Sequence, residues 1–90
     1  MAADSDVVAG AVISAVQATL PLGDHAVHRT TALRSLPEFN SFRLLEIIDR
    51  VEASLGVAFP ADVSAGDLAD IAGLCRLFER AFEEPEPGRP

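Results

Sequence analysis

Apolar residues return at three- and four-residue steps over three separate stretches of the chain, and no stretch shows the strict alternation of a half-buried strand. From Asp4 to Leu20, Val8, Val12, Ala15 and Thr19, flanked by Val7, Ala11, Ile13 and Val16, predict a first helix. Asp4, Ser5 and Asp6 suit its positive N-terminal end, and Pro21 and Gly23 close it. The clearest stripe runs from Ser41 to Leu55. There Leu44, Leu45, Ile47, Ile48, Val51 and Leu55 are apolar, and Arg43, Glu46, Asp49, Arg50 and Glu52 fill much of the rest. That predicts a helix of about four turns, stopped by Gly56 in a left-handed conformation. Val57, Ala58 and Phe59 continue as an extended link into Pro60, whose ring disfavours helix at the residue before it. Ser64 and Asp67 form an S-x-x-D start for one short helical turn. Asp70 opens a last helix with Ile71, Leu74, Cys75, Phe78 and Phe82 on one face.

Residues 21–40 carry no sustained period and are interrupted by Pro21, Gly23 and Pro37. They read as a long loop held to the core by Leu33 and Leu36, of a length that marks either a functional loop or an element without a sequence signature. The tail from Glu84, Glu-Pro-Glu-Pro-Gly-Arg-Pro, has nothing to bury and is expected to be disordered. The expected fold is therefore all-α: a bundle of three longer helices and one short one, with a long loop between the first two. It forms one domain over residues 4–83 with a tail at 84–90.

Composition narrows the function. Ninety residues with a formal charge of −7 make one small acidic domain. A chain of this size buries only about 60% of its unfolded surface, too little for a deep substrate cavity and the walls around it, so a self-sufficient enzyme is not expected. With no basic cluster, neither nucleic acid nor an anionic membrane is an expected partner; basic proteins are. Cys75 is the single cysteine, so no internal disulfide forms, and no Cys/His spacing offers a metal site. No segment reads as a secretory signal or a membrane span, and a cytoplasmic monomer is expected.

Few residues carry candidate chemistry. His25 and His28 lie in the loop with only Asp24 nearby, which reads as solvated histidine. Cys75 sits on an apolar stripe, where a thiol acts as a small hydrophobe. Phe39, Phe42, Phe59, Phe78 and Phe82 lack interleaved basic residues for base stacking and read mainly as core. Ser41, at the head of the best helix, has two readings. Either its hydroxyl is the N-cap, or, because position 44 is leucine and offers no reciprocal capping partner, the hydroxyl is free for another use. A phosphoryl group there would lie at the positive end of a helix dipole.

The run from Leu36 to Pro60, LPEFNSFRLLEIIDRVEASLGVAFP, resembles the attachment helix of acyl carrier proteins and their peptidyl carrier relatives. Ser41, Glu46, Leu55, Gly56, Phe59 and Pro60 fall at the family's places without a gap, and a weaker likeness extends over roughly residues 5 to 83. Two positions depart from the family's Asp-Ser-Leu: Asn40 removes a negative charge before the serine, and Phe42 replaces the leucine after it. The resemblance implies a non-catalytic carrier with 4′-phosphopantetheine attached covalently to Ser41, between Asn40 and Phe42. A phosphopantetheinyl transferase would install it. An adenylating ligase or acyltransferase would load it, and ketosynthase, condensation or transferase enzymes would unload it. Phe42, Leu45, Glu46 and Asp49 share one side of the helix near the serine. In the family that side docks on partners, with Glu38, Glu46, Asp49 and Glu52 readable by a basic surface and Arg43 and Arg50 rejecting uniformly positive ones. The lysine-free composition and the Asn-Ser-Phe variant fit polyketide or nonribosomal-peptide biosynthesis better than housekeeping fatty-acid synthesis. The competing reading is a cofactor-free docking adaptor in which Ser41 is a plain N-cap.

Overall fold

The computed structural model describes residues 5–60 and 63–83. Asp4 and the tail at 84–90, which carry the expected first cap and the expected disorder, lie outside the described residues. The chain is all-helical: α1 spans Ser5–Thr19, α2 Ser41–Leu55 and α3 Ile71–Glu83. Two single 3-10 turns, Leu33–Ser35 and Ala65–Leu68, sit in the connections. Among the described residues there is no strand, only one isolated bridge between Ala32 and Asp70.

α1 is the element against which both other helices pack. After Asp6 it carries no charged side chain, so a broad face can enter the core without burying an unpaired charge. Val8, Ala9, Val12, Ala15 and Val16 are all buried, the two alanines being small enough to admit close neighbours. α2 contributes Ile47 and Val51, both fully buried, with Leu44, Ile48 and Leu55 packed at the margin. α3 contributes Ile71, Leu74, Cys75, Leu77 and Phe78. Burial pushes the Cys75 thiol above its ordinary pKa, against the weaker pull of Arg29, and keeps it protonated.

The long loop is bound to the start of α3 at several points. Leu33 and Leu36 are buried as their apolar character predicts, each burial being worth about 1.5–3 kcal/mol. The Leu33 N–H donates to Ala69 O at 3.0 Å, while Ile71 and Ala72 N–H donate to Thr31 O at 3.1 Å and Arg29 O at 2.7 Å. Gly73 N–H donates to the Asp70 carboxylate at 2.8 Å, and Leu74 N–H to Asp70 O at 3.3 Å. The first-turn donors that a helix leaves unmade are thus all taken up. Asp70 opens α3 as expected, and loop carbonyls complete the cap. An Arg29–Glu79 ion pair at 3.7 Å lies over the same junction.

The link after α2 is held by a residue expected to serve partners. Gly56 takes φ 71°, and its N–H closes the helix on Glu52 O at 2.8 Å. The Glu52 carboxylate then accepts the Phe59 N–H at 2.7 Å, which seats the Phe59 ring 5.3 Å from that of Phe78. Glu52 is half-buried, and its carboxylate anchors the link. At the second turn Asp67 accepts from Ser64 N–H at 3.2 Å and Ser64 hydroxyl at 3.0 Å. Those bonds hold its carboxyl below the usual aspartate range. α3 crosses this turn so closely that a Cβ on Gly73 would overlap the backbone carbonyl of Asp67.

Gly73→Ala would ordinarily gain up to about 1 kcal/mol of helix propensity. Here the overlap is with backbone, and we expect a net loss of about 1–3 kcal/mol in urea unfolding; an unchanged or raised midpoint would refute the close crossing. Because the Asp67 pKa is lowered on folding, its charged form adds stability above the ordinary value of 3.8, and this is lost as pH falls through the lowered value. The stability difference between wild type and Asp67→Asn should therefore be present at neutral pH and fade in acid. A difference that persists unchanged at pH about 2 would contradict the assignment.

Candidate functional site

The chain enters α2 through a tight turn. Phe39 N–H donates to Leu36 O at 3.3 Å across Pro37 and Glu38. Proline suits the second position of such a turn, and the third, Glu38, takes φ 59°, where glycine is the ordinary choice. A non-glycine residue in this left-handed region costs roughly 1–2 kcal/mol, and Glu38 is held there by buried Leu36 on one side and the start of α2 on the other. Its own side chain is exposed.

Asn40, extended at φ −157° and ψ 178°, is the N-cap of α2. Its Oδ1 accepts from Arg43 N–H at 2.9 Å, and its carbonyl accepts from Leu44 N–H at 2.9 Å. The reading of Ser41 as the cap is therefore corrected by one residue. Asparagine is among the best caps, and its side chain reaches the third helical N–H only from the position before the helix. Ser41 is instead the first helical residue, exposed, and its hydroxyl has no hydrogen-bond partner among the described residues. The N–H groups of Ser41 and Phe42 likewise have no partner among the described residues. The positive end of α2 is open, and the serine stands in it.

Beyond the serine, Phe42 is 69% and Leu45 65% exposed. The expectation that the phenylalanines are mainly core fails for Phe42, which lies opposite Ile47 and Val51 on the helix. Arg43 Nη1 meets Glu46 Oε1 at 3.1 Å, so these two expected docking charges engage one another. Asp49 and Arg50 are exposed, and with Glu46 and Ala53 they line a shallow concavity on the helix surface. His25 and His28 are exposed in the loop, away from any such arrangement. No group of three His, Cys, Asp or Glu among the described residues is disposed to hold a metal ion.

No family model, curated protein or solved structure matches the chain. What the site can do rests on its own atoms. Ser41 Oγ is not hydrogen-bonded to any His, Asp or Glu among the described residues, so nothing there activates it as a nucleophile. An exposed, unbonded hydroxyl beside two free N–H donors is instead suited to receive a group, an anionic one above all.

Replacing each polar residue at this end separates cap from site. Asn40→Ala should lower stability by about 0.5–2 kcal/mol. Ser41→Ala should stay within about 0.5 kcal/mol of wild type, as for an exposed residue without a structural bond. Thermal or denaturant unfolding reads both, and the reverse order would return the cap to Ser41.

Proposed function

We propose that the protein is a carrier of the acyl or peptidyl type, modified with 4′-phosphopantetheine on Ser41 and serving polyketide or nonribosomal-peptide biosynthesis. The observation that carries the reading is the Ser41 hydroxyl, exposed and unbonded at the open N-terminus of α2, within the segment that resembles carrier attachment helices. The residues present fit the group. Ser41 Oγ supplies the oxygen of the phosphodiester, and the N–H groups of Ser41 and Phe42 lie at the positive end of the helix, which favours a negative charge. Asn40 caps the helix without adding a charge that would repel a phosphate.

In the transferase reaction, Ser41 Oγ attacks the β-phosphorus of coenzyme A, with Mg²⁺ and a base supplied by the transferase. The new O–P bond replaces the pyrophosphate bond, the adenosine bisphosphate leaves, and the serine proton passes to the base. Once attached, the group supplies a terminal thiol that holds an acyl or aminoacyl cargo as a thioester. The chain's own contribution is then to tether and present, which raises the cargo's effective concentration at each partner's active site. Cys75, fully buried with its thiol kept protonated, does not compete for cargo.

The test is intact mass before and after incubation with coenzyme A, Mg²⁺ and a broad-specificity phosphopantetheinyl transferase, with Ser41→Ala in parallel. A gain of one phosphopantetheine by wild type alone is expected. No gain with several transferases, while circular dichroism shows the helices intact, would overturn the proposal in favour of a cofactor-free docking adaptor.

A further inference from the structure

The turn that leads into α2 contains a peptide group that no hydrogen bond holds. Leu36, Pro37, Glu38 and Phe39 close on the Phe39 N–H to Leu36 O bond at 3.3 Å, and Glu38, third in the turn, has φ 59°. Proline second and a positive φ third are the marks of a type II turn. A type I turn keeps the same ends and the same closing bond, and proline's fixed φ serves it equally, but the third residue takes φ of about −90°. Passing from one to the other turns over the Pro37–Glu38 peptide alone, so that its C=O and N–H exchange sides. Neither of those two groups has a hydrogen-bond partner among the described residues, and the exposed Glu38 carboxylate has no partner among them either. The change therefore breaks no bond. Buried Leu36 and the Asn40 cap, on either side, fix where the turn begins and ends and support the observed form. Against them stands the positive φ, which only glycine takes without cost. The two opposing terms leave the forms close in free energy.

We infer that the Pro37–Glu38 peptide is a two-position switch in the turn ahead of Ser41 and, resting on the carrier reading, that an enzyme modifying Ser41 accepts one position only. An enzyme that brings its reacting atoms to Ser41 Oγ also covers the chain just before it. There the turn offers an acceptor in one form on the side where it offers a donor in the other. A site matched to one form leaves a covered polar group unpaired with the other, and the hydroxyl is not aligned. The apparent affinity then scales with the fraction of the chain in the accepted form. Strain at Glu38 thus sets how often Ser41 is ready, without any change in α2 itself.

The test compares wild type with Glu38→Gly, Glu38→Val and Glu38→Gln. All three variants lack the carboxylate, so Glu38→Gln is the reference and the differences among them report the backbone. Glycine takes a positive φ freely, whereas a β-branched residue is nearly excluded from it. NMR reads the Overhauser contact between Pro37 Hα and the N–H of position 38, which is short in type II and long in type I. Wild type and Glu38→Gln should be intermediate, Glu38→Gly strong and Glu38→Val weak, with glycine shifting the ratio of forms about fivefold to thirtyfold. A wild type that matches either extreme overturns the switch. In phosphopantetheinylation by a transferase with coenzyme A, kcat/KM for Glu38→Gly and Glu38→Val should fall on opposite sides of Glu38→Gln and differ by about fivefold or more. Equal values, or a shift of both in one direction while circular dichroism shows the helices intact, overturn the gate and leave the carrier reading standing. No modification of wild type by any transferase overturns the carrier reading and the gate with it, while the NMR ratio still decides the switch.

Discussion

Everything in this small bundle depends on the one broad face that α1 turns to the core, Val8, Ala9, Val12, Ala15 and Val16. Both α2 and α3 pack on that helix, which carries no charge beyond its first turn, so the two need not bury much against each other. That division leaves α2 with a single buried stripe.

The two helices packed on α1 begin in opposite ways. α3 starts under the loop, with its first N–H groups taken by Thr31, Arg29 and Asp70, and with Gly73 set against the backbone of the preceding turn. α2 starts in solvent, capped by one asparagine and approached through a strained turn at Glu38. The long loop between α1 and α2 thus stabilises the far helix more than the one it leads into. Its length, unusual for a compact domain, follows from that task.

Local and periodic features were legible from the residues alone. Ser41 to Leu55, the stop at Gly56, the start at Asp70, the Ser64–Asp67 turn and the buried Leu33 and Leu36 each announce themselves by spacing or by one residue's preference. What escaped has a common physical cause. The Glu52 carboxylate finds the Phe59 N–H across a turn that only the folded link brings round, and the Gly73 crossing exists only between elements. The 3-10 turn at Leu33–Ser35 is too short to show a period. The cap at Asn40 is different: asparagine and serine stand side by side with similar capping preferences, and only the fold shows which of the two precedes the first helical residue. At the site, the position of Ser41 at the head of α2 was readable, whereas the exposure of Phe42 and the closure of Arg43 on Glu46 required side-chain geometry.

The burial of Cys75 makes the molecule a reporter of its own opening. A thiol with no solvent exposure and a raised pKa reacts with an alkylating or disulfide reagent only when the core around it comes apart. Because it lies in the second turn of α3, facing the core, its labelling rate in the native protein counts how often that helix lifts from the core. When reclosing is fast, the rate tracks the free energy of that motion and not the chemistry of the sulfur.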